Sequence, residues 1–233
     1  MKAGFFGATC TLLIALAATP ATAQTTVVDE GTFVLREGGR EVGREVFAIR
    51  RSGTGPGSVV VAQGRVDLGE SDDLVTSLEV SGEGFRPATY AVQVEGTEPQ
   101  RIAGRVAGGR FSARIISPAG EMMREYLAGE GAVIVDEGVA HQYFFIAQQL
   151  DGTATFTVPL IIPRQSRQVS ATVSVGATEN VTIGGQSIVA RRLSVRATGL
   201  ADRSVWVDAD GRVLRLEIPD RGMTAERLAP PGS

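Results

Sequence analysis

Val60-Val61-Ala62-Gln63-Gly64-Arg65-Val66-Asp67-Leu68 is the stretch that decides the fold. Val60, Ala62, Val66 and Leu68 fall on one parity, while Gln63, Arg65 and Asp67 fall on the other. A period of two is that of a strand with one dry and one wet face. Working outward, the same rhythm holds Phe33 with Leu35, Phe47 with Ile49, Leu74 with Leu78 and Val80, and Tyr90 with Val92 and Val94. It continues through Phe111, Ala113 and Ile115, through Phe156, Val158, Leu160 and Ile162, and through Leu214, Leu216 and Ile218. The opposite phase carries Gln93 and Glu95, Arg110, Ser112 and Arg114, and Arg215 and Glu217. Clean alternation belongs to antiparallel sheets with one solvated face; parallel sheets covered on both sides read as continuous apolar runs. A doubly wound nucleotide-binding fold is therefore not expected.

Turn residues punctuate this rhythm at short intervals, as in Glu37-Gly38-Gly39, Gly53-Thr54-Gly55-Pro56-Gly57, Gly108-Gly109, Gly184-Gly185 and Asp208-Ala209-Asp210-Gly211. Glycine and aspartate there supply the positive φ angles of tight hairpins. One segment breaks the period. In residues 136–150, Val139, Tyr143, Ile146 and Leu150 share a helical stripe, with Asp136 as N-cap and Asp151-Gly152 as stop. Phe144 and Phe145 widen the apolar surface beyond that stripe, which calls for a helix enclosed on more than one side. The expected fold is mainly β: a strongly curved antiparallel sheet, a half-barrel, with one principal helix at about residues 137–150 on its concave face.

The 233 residues are 43% hydrophobic and 21% charged, with a formal net charge of −3, an ordinary globular composition. Bulk charge gives no reason to expect a nucleic-acid partner. Residues 1–23 read as a signal peptide: Lys2, the only lysine, precedes an apolar run, and Ala21-Thr22-Ala23 places small side chains before a cleavage at Gln24. The only cysteine, Cys10, lies within that run, so the mature chain would be cysteine-free and indifferent to an oxidising compartment. No later stretch has the length of a membrane span. The organisation expected is a signal peptide at 1–23, one antiparallel domain at 24–219 and a loosely ordered tail at 220–233, in a periplasmic or extracellular protein.

Residues able to carry chemistry are sparse. His141 is the only histidine, so any triad must pair it with Asp136 or Glu137 and a serine, yet no Gly-x-Ser-x-Gly elbow accompanies it. Its structural alternative is a surface helix histidine or one held in a satisfied hydrogen bond. No histidine–cysteine cluster offers a metal site, and no cofactor motif is present. Asp208-Ala209-Asp210-Gly211 resembles the start of a calcium loop, but its neighbours alternate as strands and it reads as a hairpin turn. Arg101, Arg105, Arg110 and Arg114 recur along two neighbouring strands, with Arg164 and Arg167 beyond Pro163; an anion-binding stripe or a solvated β surface would both look like this.

The strand pair Val205-Trp206-Val207-Asp208-Ala209-Asp210-Gly211-Arg212-Val213-Leu214-Arg215-Leu216-Glu217-Ile218-Pro219, with Val133-Ile134-Val135 running into Asp136 and the aromatic helix, resembles a group of uncharacterised exported bacterial β proteins. Their sheets look like the half-barrel of periplasmic lipoprotein carriers. The likeness spans most of residues 27–219 and implies no catalytic residue. It agrees with a non-enzymatic module that holds an apolar or amphipathic ligand, such as a lipid, against Tyr90, Phe111, Tyr143, Phe144, Phe145 and Phe156. The alternatives are an envelope scaffold or assembly protein whose apolar face is simply packed, and a hydrolase built on His141.

Overall fold

In the computed structural model, which describes residues 25–69 and 72–232, fifteen strands form one sheet. In chain order they are β1 (Thr25–Glu37), β2 (Arg40–Ser52), β3 (Val59–Asp67), β4 (Asp72–Ser81), β5 (Arg86–Gly96), β6 (Gln100–Ala107), β7 (Arg110–Ser117) and β8 (Gly120–Leu127). After these come β9 (Val133–Ile134), β10 (Thr155–Ile162), β11 (Arg167–Ile183), β12 (Gln186–Ala197), β13 (Leu200–Val207), β14 (Val213–Ile218) and β15 (Met223–Arg227). The spatial order runs from β8 back to β1, then β15 back to β9, so two meanders join where β1 pairs antiparallel with β15. Every pairing is antiparallel except the two-residue β9 against β10. The signal-type segment 1–23 lies outside the described residues. Among those described, no helix is long and apolar enough to cross a membrane.

The dry parity lines one continuous core. Phe33, Leu35, Ile49, Ala62, Leu78, Tyr90, Phe111, Ala113, Val158 and Leu160 are all sealed from solvent within one cluster. The helix is present but shorter than the stripe implied: a 3-10 turn, His141–Tyr143, runs into α1 (Phe144–Ala147). Asp136 does not cap it, because its carboxylate is taken by Tyr90 and by the backbone of Arg164. Before the helix the chain is drawn to β10, where Val135 donates to Ile161, and after it Gln149 is tied through its side chain to Gly131 in the turn before β9.

Two further expectations are corrected. The tail does not hang loose from residue 220; β15 fills the position between β1 and β14, and Arg227 is buried. Five alternating residues beyond Pro219 were too few to stand out, and they order because two strands flank them. Leu214 does not share the interior with Leu216. The register of β13 against β14 shifts between Trp206 and Val207, and this turns Leu214 to a second small core with Trp206, Val181, Ile183 and Ala190. That core is built by the far end of the β11–β12 hairpin, which is itself kinked by a register shift between Val175 and Thr178.

Candidate functional site

Glu45 stands on β2 in the same parity as Phe47 and Ile49, so the strand delivers a carboxylate into the apolar interior. Such a charge persists only when it is met by donors. The 3-10 turn provides them: the amides of Ala140 and His141 donate at 2.7 and 3.2 Å, and the imidazole Nδ1 of His141 lies against the same carboxylate. With a carboxylate as acceptor, Nδ1 carries the proton. Space for the ring comes from Gly64 on β3, where a Cβ would stand 2.6 Å from His141 Cε1. Phe47 stacks parallel on the imidazole with centroids 5.5 Å apart, and Phe33 stacks on Phe47 at 5.1 Å. Beyond these rings, the guanidinium of Arg227 covers both phenylalanines and pairs with buried Asp29. Burial pushes the Asp29 carboxyl up, and Arg227 opposes that shift.

A second anchor holds the chain where it enters the interior. The amide of Asp136 donates to Gln142 Oε1 at 2.6 Å, while its carboxylate accepts the hydroxyl of Tyr90 and the amide of Arg164 at 3.3 Å. Burial raises the Asp136 carboxyl to about 6 despite these donors, and burial with the nearby carboxylate raises the Tyr90 phenol. Glu137 accepts from Gln165 Nε2 at 2.7 Å and pairs with Arg221, so the entry is tied to the turns after β10 and β14. Two polar atoms of the plug, His141 Nε2 and Gln142 Nε2, have no hydrogen-bond partner among the described residues.

The aromatic residues expected to line a ligand site are brought together, but in a filled interior. Tyr143, Phe144 and Phe145 expose 3, 2 and 1% of their surface. Phe144 and Phe145 meet edge to face at 5.4 Å, and Phe85 packs on both at about 6 Å. Tyr90 is spent on Asp136, and Phe111 is stacked on Tyr126 over Gly104, whose absent Cβ clears its ring. Phe156 is only half-buried at the margin of the core. None of these six lines either of two surface grooves: one of about 500 Å³ between the end of α1, Val189 and the Asp208–Gly211 turn, and one of about 410 Å³ on the outer face of β4 to β7.

His141 finds its acid in Glu45, not in Asp136 or Glu137. Both are sealed, so the pair has no route to a substrate, and the arrangement fixes a segment rather than activating a nucleophile. Among the described residues, no group of three His, Cys, Asp or Glu side chains is gathered as metal ligands. The Asp208 carboxylate accepts the amides of Asp210 and Arg212, which makes the acidic loop a self-satisfied turn. Arg101, Arg105, Arg110 and Arg114 stand on the solvated face, where Arg114 pairs with Glu121. Sequence reasoning missed Glu45, Gly64, Asp29 and Arg227. A signal existed for the first two, since an acid and a glycine interrupt otherwise apolar parities.

No known protein family matches the chain, and no curated protein matches it. Among solved structures, the chain is similar to a beta-barrel-like protein of a domain of unknown function, DUF1849, from Brucella abortus. The TM-score is 0.54 at 13% sequence identity, over 89% of this chain and 98% of that one. The likeness is one of fold: a mainly β, barrel-like sheet.

Proposed function

We propose that this protein is an exported, non-catalytic module of the cell envelope, a scaffold or assembly component whose barrel-like interior is filled by its own plug and which works through its outer surface. The observation that carries this reading is the sealing of Tyr143, Phe144 and Phe145 under a segment locked by Glu45. A carrier of lipid would need that space free, and emptying it would expose three aromatics and strand a buried carboxylate. Export rests on the character of residues 1–23. Mass spectrometry of organic extracts from gently purified protein tests the reading. No stoichiometric lipid is expected, and one lipid per chain would return the protein to the ligand carriers. The intact mass of exported protein should start at Gln24, and retention of residues 1–23 would remove export from the proposal.

A further inference from the structure

On β6, Ile102 is sealed in the core, so Arg101, Ala103 and Arg105 project from the outer face of the sheet. The register sets Gln93 and Ile116 beside Arg101, Ala91 and Arg114 beside Ala103, and Thr89 and Ser112 beside Arg105. No acid stands opposite either outward arginine, and neither β6 nor β7 contains an acidic residue. The nearest acids of the flanking strands are engaged elsewhere. Glu121 accepts Arg114 twice, at 2.7 and 2.6 Å. Glu125 accepts the Ser112 hydroxyl at 3.1 Å and lies 3.8 Å from Arg110, and Glu95 accepts Gln93 at 2.6 Å. Among the described residues, Arg101 and Arg105 form no ion pair or hydrogen bond through their side chains, and Glu98 in the turn that enters β6 does not pair with Arg101.

Between these two guanidiniums the surface is apolar and low. A groove of about 410 Å³ has Ala91 and Ala103 as its floor and Val75 and Ile116, 48 and 40% exposed, as its walls. A second groove, of about 530 Å³, continues it past Ala103 to Ala107 and Met123. A merely solvated sheet face keeps such outward positions polar. Four residues of strand part Arg101 from Arg105, about 13 Å, so the trough has a free cation toward each end. Acids rim it on both sides, Glu79 and Glu95 on β4 and β5 and Glu121 and Glu125 on β8. A flat anionic bilayer would press its charge against those acids, whereas a helix, about 10 to 12 Å across, lies between them. A second copy has no such helix to offer, since among the described residues the only α-helix is the sealed plug. We propose that the outer face of β6 and β7 docks an amphipathic helix of another protein. Two acidic residues seven positions apart, about 10.5 Å along one side of that helix, would meet Arg101 and Arg105, with apolar residues between them on Ala91 and Ala103. This rests on the reading of a module that acts through its outer surface.

The probe is the peptide acetyl-Ala-Gln-Glu-Ala-Gln-Leu-Leu-Ala-Gln-Glu-Ala-Gln-Ala-amide, titrated into the isotope-labelled mature chain and followed by amide chemical shifts. Saturable shifts are expected on β6 and β7, with an affinity that falls about tenfold when both glutamates become glutamine and falls as salt is added. Proline in place of the alanine after the leucines breaks the helix and should abolish binding. Arg101→Glu combined with Arg105→Glu should lose the acidic peptide and bind instead the peptide with arginine at both glutamate positions. Its melting temperature should not change, because neither side chain has a partner to lose. Absent saturable shifts, shifts confined to other strands, equal binding of the glutamine or proline peptide, or a preference that does not reverse would each overturn the proposal. Sedimentation with phosphatidylglycerol vesicles that the double variant loses would overturn it in favour of a bilayer, and a dimer that the double variant dissolves would overturn it in favour of a second copy. None of these results depends on lipid content, so failure here leaves the plugged-module reading to its own test.

Discussion

Glu45 and His141, 96 positions apart in the chain, are joined in the dry centre of the sheet by two bonds from one residue, the backbone amide and the ring Nδ1. The carboxylate also holds Ala140, so a single strand residue fixes the start of the whole plug.

Glu45→Ala should therefore cost about 3–5 kcal/mol, because it strands two buried amides and an imidazole. Glu45→Gln, which keeps the shape but accepts through one oxygen only, should cost less. Urea denaturation of both variants measures the difference, and a Glu45→Gln variant as stable as the wild type would show that packing volume rather than the carboxylate holds the turn.

Truncating the plug aromatics probes the packing itself. Phe144→Ala and Phe145→Ala should each destabilise by about 3–5 kcal/mol, as expected for sealed phenylalanines. Thermal melts that barely move would mean that the segment is a lid.

The strands and their dry faces were legible because alternation is local: each parity of Phe111, Ala113 and Ile115 or of Val60, Ala62 and Val66 reports its own side. The plug's aromatic content was legible for the same reason. Its length was not, since the pull of Asp136 toward Tyr90 and Arg164 is a tertiary effect that overrides a helical stripe. Leu214 was misplaced because one bulge reverses the parity of everything before it. Glu45 left a trace, a charge in phase with Phe47 and Ile49, but its partner lies in no neighbouring strand.

Acidification tests Asp136. Its folded-state value of about 6 stands above its usual 3.8, so between these values the folded chain binds the extra proton and stability falls as pH rises. The group's contribution should decline by roughly 3 kcal/mol between about pH 3 and pH 7 and stay level above. Asp136→Asn should flatten that slope in urea titrations across the window. A slope unchanged in the variant would assign the pH dependence elsewhere.

Arg227 makes the C-terminal strand integral. Arg227→Ala leaves Asp29 buried without its cation and should cost about 3–5 kcal/mol, whereas Arg227→Met with Asp29→Leu should lie nearer the wild type than either single change. A chain ended at Pro219 loses β15 altogether and should show no cooperative unfolding. A normal transition in that truncation would return residues 220–233 to a dispensable tail.

Native-state amide hydrogen exchange at Ala140 and His141 tests the central claim most directly, since both amides are held by Glu45 inside the barrel-like sheet. A core plug exchanges only through global unfolding, with the opening free energy of interior strand amides such as Phe111 and Leu160. Exchange at these two amides through a smaller, separate opening, with the strands still protected, would show a segment that leaves the interior on its own and would contradict the account.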